Sequence, residues 1–482
     1  MFNHILHKSK KWLPKNEFAH GVSVLVSGTA GSQLIMLLLT PVLTRIYSPE
    51  DFGLLAVYVG LLAVFVVIAS LRYELAIPLP ESDQAAANIV LLSLLALFGM
   101  VCILGLTVFL ASDAIVGFLG IPELANYLWL LPIGALLMGV YQVFSYWAIR
   151  TKQFAAIAQT RISQMLAMTA VQLVGYKLGG ISLLIGQTAG QGVGSTRLAR
   201  SALMRAEFNQ CGWRGVLQVA KKYRRFPLFS TWSSLCNAAG QQLLPLMFAA
   251  MFNVGAAGMY ALAQRVLMMP MAVIGSAVGN VFFSNAAKAY QEARLGPLVV
   301  RVYKSLSQIV MPVTLLLIIL APDLFALVFG EKWRQAGDFA RWMAPWLYMV
   351  FVTSPFSTVF SIMGKQHYDL FFQVSLLLLR LIAIAIGAWR GDLLVAVMLF
   401  SGVSTLSWVG FLLWINIKTG NRLHMILLPM LNSFVYAVGC MLPLILARVS
   451  DTDGMVLWIA VATSMLLLGA YYLSLARKLY IK

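Results

Sequence analysis

The feature that most limits how this chain can fold is a recurrence. Apolar stretches of about twenty residues follow one another almost to the end of the chain, separated by short polar segments. A run of that length is what a helix rising ~1.5 Å per residue needs to cross a ~30 Å hydrocarbon core. Windows of about 19 residues give fourteen spans. They fall at 21–44, 53–71, 86–110, 127–148, 157–176, 180–204, 229–252, 256–284, 303–327, 340–362, 369–388, 393–417, 425–447 and 455–475. Each run is far longer than the ~10 alternating residues of a barrel strand, so helices are expected. Composition agrees, with 60% of the 482 residues hydrophobic and only 11% charged. The expected fold class is an all-α polytopic membrane protein of about 14 transmembrane helices, arranged as two parallel six-helix repeats plus two C-terminal helices.

A net charge of +18 suggests nucleic-acid binding until its distribution is considered. With the N-terminus placed in the cytoplasm, twenty-six of the 35 lysines and arginines fall on cytoplasmic segments. The opposite side carries seven: Arg45, Lys177, Lys332, Arg334, Arg341, Arg390 and Arg448. That asymmetry follows the positive-inside rule and, with an even number of spans, predicts both termini in the cytoplasm. The charge is therefore topological, with a secondary attraction to anionic lipid, and no nucleic-acid partner is expected. The first apolar run lacks a small-x-small cleavage site and reads as a retained span. The four cysteines have no close spacing and read as packing residues.

The longest hydrophilic interruption, around 205–226, interleaves Trp213, Val216, Leu217 and Val219 with Arg214, Lys221 and Lys222. It fits either an amphipathic helix on the membrane surface or a solvated linker. Its position divides the chain into a six-helix bundle at 1–205, a linker at 206–226, a second bundle at 227–420 and a helix pair at 421–482. An internal repeat supports this division. Gly31-Ser32-Gln33-Leu34 aligns with Gly240-Gln241-Gln242-Leu243, and Gly53 aligns with Gly258. Both copies start from the same face, as parallel repeats related by an axis along the membrane normal do.

Gln33, Asn237, Gln241, Gln242 and Gln264 are hydrogen-bonding groups at membrane depth, where lipid offers no partner. They are expected to face the bundle interior, as contacts between helices or as a polar cavity lining. Gly186, Gly190 and Gly194 form overlapping GxxxG steps, and Gly275 and Gly279 form another. Both read as packing surfaces. Pro41, Pro132, Pro245, Pro270 and Pro312 lie inside spans and predict bends.

The chain has no P-loop, no Gly-rich dinucleotide turn and no serine-nucleophile elbow. Its five histidines show no metal spacing, and its acids fall in loops or at span ends, Glu74 being nearest to an embedded position. No enzyme activity, metal or cofactor is expected, and no residue is assigned to a coupling ion. Two cations stand out against this background. Arg265 and Arg380 lie about nine and ten residues into apolar spans, roughly 13–17 Å from an interface at ~1.5 Å per residue. A guanidinium there is costly and by default marks a water-filled cavity or substrate path. Its planar fork suits a phosphate oxygen pair, so an anionic substrate is the functional reading, and capping of backbone carbonyls is the structural one.

The chain resembles the multidrug/oligosaccharidyl-lipid/polysaccharide exporter superfamily, and within it the Wzx-type flippases of O-antigen and exopolysaccharide units. The resemblance rests on LTRIYSPEDFGLLAVY from Leu43, ASLRYELAIPL from Ala69, the block from Asn237 to Val266, and FGEKWRQAGDFARWMAP from Phe329. It implies carriage of an undecaprenyl-pyrophosphate-linked glycan from the cytoplasmic to the periplasmic leaflet of a bacterial inner membrane, by alternating access. Polysaccharide polymerase and chain-length machinery are the implied protein partners. Arg265 matches the place of a cavity arginine in related lipid II flippases, whereas Arg380 has no counterpart there, and no arginine precedes Arg45 on the first span. Arg72 and Glu74 in the RYE motif are a candidate cytoplasmic gate or an ordinary interfacial ion pair. The alternative cargo on the same scaffold, an organic cation carried by a multidrug exporter, calls for a buried acid that the sequence does not offer.

Overall fold

The structure, a computed structural model, describes residues 17–270, 276–363, 365–450 and 455–480. Among them there is no strand. In chain order the principal helices are α1 (Glu17–Ile46), α2 (Pro49–Ala69), α3 (Asp83–Leu119), α4 (Leu130–Arg150), α5 (Phe154–Val174) and α6 (Gly180–Leu203). The short α7 (Trp213–Lys222) is followed by α8 (Thr231–Met251), α9 (Val254–Pro270), α10 (Ser276–Gln291) and α11 (Leu295–Phe329). The last five are α12 (Arg334–Thr353), α13 (Gln366–Trp389), α14 (Leu393–Lys418), α15 (His424–Val449) and α16 (Met455–Tyr480).

Every expected span is occupied by helix. Within the eighth, α9 and α10 cover the described residues, and residues 271–275, Gly275 of the expected GxxxG step among them, lie outside the described residues. The tenth ends as α12 gives way to a 3₁₀ turn at Ser354–Thr358. Among the described residues, eight helices are both long and apolar enough to cross a bilayer. α3, with 37 residues, outruns the ~20 needed for a crossing, and Ala111 leaves helical geometry within it.

By contact the chain forms two compact units, Met1–Ala261 and Leu262–Lys482. This differs from the repeat-based division because α8 and the start of α9 pack with the first unit, α8 lying along α2. α2 is apolar all round and buried on several faces, as Leu54, Val57, Tyr58 and Leu62 show. Its start is set by a capping box. Asp51 N–H donates to Ser48 Oγ at 3.2 Å, and Ser48 N–H donates to Asp51 Oδ2 at 2.9 Å. α9 starts in the corresponding way, with Ala256 N–H donating to Asn253 Oδ1 at 2.8 Å.

Five residues beyond each of those caps lies a glycine, and the two glycines meet reciprocally. A Cβ on Gly53 would fall 1.7 Å from the Val254 carbonyl oxygen, and one on Gly258 would fall 1.9 Å from that of Pro49. Backbone is in contact with backbone, and only glycine permits the approach. The GxxxG steps of α6 serve packing in the same manner. Gly186, Gly190 and Gly194 receive Gln172, Met168 and Gln164 of α5 at distances that leave no room for a Cβ.

The 205–226 segment is structured. α7 buries Val216 and Val219, sets Gly215 against Asn88 of α3, and leaves Trp213 and Leu217 exposed beside Lys221 and Lys222. That pattern suits an interfacial helix.

In the second unit, α11 is the spine, in contact with α12 and α15. Gly337 brings α12 against the α11 backbone at Ala321 and Pro322. Pro312 removes the N–H that would bond the Gln308 carbonyl. That carbonyl instead accepts the Tyr471 hydroxyl of α16 at 3.0 Å, and Ile309 O accepts Tyr472 at 2.7 Å. The C-terminal helix pair is thereby fastened to the spine, with Leu320, Met441, Leu444 and Leu468 as its apolar core.

Candidate functional site

After α2 the chain turns through two left-handed residues, Leu71 (φ 52°) and Arg72 (φ 59°), into a 3₁₀ turn at Tyr73–Ala76. The turn folds Glu74 inward until its side chain is 0% exposed. The expectation that no acid is buried among the spans fails at this residue, because a turn tucked beneath the bundle can bury what a linear reading leaves at an interface. Its carboxylate accepts from Ser70 Oγ at 2.5 Å, from Gln142 Nε2 of α4 at 3.0 Å and from Arg72 Nη1 at 3.3 Å. Burial outweighs these donors and pushes its pKa above the usual carboxylate range.

Arg72 faces two ways. Besides Glu74 it donates through Nε and Nη2 to Ser234 Oγ of α8, at 3.1 and 2.9 Å. The RYE motif thus ties the end of α2 to α4 and α8. Ser70, Gln142 and Ser234 were not singled out by sequence. Gln142 carries a weak signal, being a glutamine inside an apolar span.

Arg265 and Gln264 lie on α9, a helix that buries Ala257, Tyr260, Leu262 and Ala263. Against that packed face Arg265 is exposed and Gln264 half-buried. Gln33 of α1 and Gln241 of α8 are exposed and Gln242 is half-buried, whereas the side chain of Asn237 lies outside the described residues.

Arg380 has a different setting. Its guanidinium carbon lies 5.1 Å from the ring centroid of Trp346 on α12 and 5.3 Å from that of Phe400 on α14. Its Nε donates to Ser404 Oγ at 2.9 Å. Two aromatic faces and a hydroxyl give the charge an electrostatic environment within the second unit.

The architecture is an all-α one with several helices long and apolar enough to cross a membrane, and its fold is shared with solved transporters. Over 95% of this chain and 99% of the other, the fold is similar to that of the lipid II flippase MurJ in an inward closed conformation (TM-score 0.74, 12% identity). It is also similar to an inward-facing multidrug resistance MATE family transporter, over 81% of this chain and 98% of that one (TM-score 0.64, 15% identity). A MOP superfamily transporter from Pyrococcus furiosus aligns over 83% and 94% (TM-score 0.54, 16% identity). These identities speak for fold alone.

Sequence carries the assignment further. Residues 42–338, more than half of the chain, match the family described as polysaccharide biosynthesis protein, and the chain belongs to that family. The lipopolysaccharide biosynthesis protein WzxC of Escherichia coli (strain K12) is 26% identical over 310 residues, 61% of this chain. The match spans 59% of that protein's length.

Proposed function

We propose that this protein is a flippase, moving a polyprenyl-pyrophosphate-linked oligosaccharide repeat unit from the cytoplasmic to the periplasmic leaflet of a bacterial inner membrane for O-antigen or exopolysaccharide assembly. The observation that carries the reading is Arg265, a guanidinium well inside an apolar helix, exposed where Leu262 and Ala263 of the same helix are buried. A permanent cation at that depth needs water or an anion, and a pyrophosphate supplies the second. Family membership supplies the polysaccharide context.

In this reading both termini are cytoplasmic, and Gln33, Gln241, Gln242 and Gln264 offer amide groups to sugar hydroxyls. Arg72 and Glu74 act as a cytoplasmic latch, since Arg72 joins α2 to Ser234 of α8. An organic-cation exporter is disfavoured because the buried carboxylate, Glu74, is already engaged by Arg72. Polymerase and chain-length proteins are the proposed downstream partners.

A strain lacking the protein should accumulate lipid-linked repeat units on the cytoplasmic leaflet, measured by accessibility of the glycan to an impermeant label. Normal surface polysaccharide in that strain would overturn the proposal. Arg265→Ala should abolish complementation at unchanged protein level, with Arg265→Lys restoring part of it.

A further inference from the structure

Six charged side chains meet where α11 ends and α12 begins, and none takes part in the proposed transport path. Asp323, near the end of α11, binds Arg334 Nη1 at 2.6 Å and also Arg448 of α15. Arg334 reaches Glu331 as well, Nε to Oε1 at 2.5 Å. Arg341 is less well served, with Asp338 at 3.9 Å and the Ile319 carbonyl at 3.4 Å. The three arginines wall a cavity of about 450 Å³. Among the described residues, Arg341 Nε and Arg448 Nε are buried donors without an acceptor. Donors in that condition call for a ligand atom or water, and guanidinium forks are suited to phosphate oxygens.

A second cavity, also of about 450 Å³, shares Asp323, Arg334 and Arg448 with the first. It continues as an apolar trough between Leu324 and Leu327 of α11 and Leu457, Trp458 and Val461 of α16. Water can satisfy the guanidinium donors, but it gains nothing from the trough. A charged mouth opening into an apolar trough, among helices that lie in a bilayer, has the outline of a phosphate-bearing amphiphile.

We propose that this two-part cavity holds a glycerophospholipid, its phosphate against Arg341 and Arg448 and an acyl chain between α11 and α16. Three arginines and three acids cancel in net charge, so recognition comes from directed N–H donors rather than from long-range attraction. Added salt should therefore weaken binding little. The occupied site joins α16 to the spine through lipid as well as through protein contacts.

The test uses the purified full chain in detergent, followed by melting temperature and by native mass spectrometry. Phosphatidylglycerol should raise the melting temperature by a few degrees and remain bound, whereas a diacylglycerol of the same chains and inorganic phosphate alone should do neither. Arg341→Gln combined with Arg448→Gln should remove the rise. Val461→Trp, which fills the trough and leaves the arginines in place, should remove it too and decides the matter if the double variant does not fold. Arg301→Gln, at an exposed position in the first turns of α11, should respond as the native chain does. Equal stabilisation by diacylglycerol, or lipid responses unchanged in the variants, would overturn the site. Stabilisation by phosphate alone would replace it with a free-anion site.

Discussion

Glu74 receives three donors and yet has its pKa raised, because the loss of water outweighs them. A raised folded-state value means that the folded protein holds the proton more tightly than the unfolded chain. The group's contribution to stability is then fully present below the unfolded carboxylate value and lost as pH rises through the raised one. Glu74→Gln keeps an acceptor for Ser70 and removes the titration. It should flatten the dependence of melting temperature on pH above the unfolded carboxylate value of about 4. The two arginines separate by a different measurement. Arg265→Ala should abolish transport with little change in melting temperature, and Arg380→Ala, which removes the guanidinium packed against Trp346 and Phe400, should lower the melting temperature first. The sequence makes both arginines visible as mid-span charges. It leaves the aromatic partners of Arg380 unnamed, because which face of α12 and α14 points at α13 depends on helix rotation and not on spacing. Likewise the RYE motif displays its pair, but the burial of Glu74 depends on two left-handed residues that carry no glycine signal.

At the level of elements, the instructive case is a proline inside a helix. Pro312 is readable as a bend, but the fate of the carbonyl it frees is not, since its new donor lies more than 150 residues away, at Tyr471. That hydroxyl is one of the means by which α16 is held to α11. Tyr471→Phe should cost about 0.5–1.5 kcal/mol, the usual net worth of an intramolecular hydrogen bond, read as a lowered denaturation midpoint. The effect should not extend to Tyr436→Phe, which removes a hydroxyl from a ring already 60% exposed. α7 shows a different limit of sequence reading. Its residues allow a helix or a solvated linker, and the choice is made by Val216 and Val219 finding α3 beneath them.

At the largest scale the repeat expected from the sequence is expressed most directly in the alignment of Gly53 with Gly258. The spans are legible in the chain because each depends on local composition. The meeting of the repeated glycines is tertiary and is not. The crossing they form also predicts how substitutions there should combine. A Cβ at Gly53 collides with the Val254 carbonyl and a Cβ at Gly258 with that of Pro49, so either one alone pushes the same two helices apart. Once they are apart, the second Cβ enters a gap that already exists. Gly53→Ala and Gly258→Ala should each be strongly destabilising, and the double variant should fall short of their sum by a coupling of about 0.5–3 kcal/mol, measurable as a double-mutant cycle. A crossing made twice from the same part thus has one shared tolerance. Sequence change at either glycine uses it up, which leaves no independent room for the other to vary.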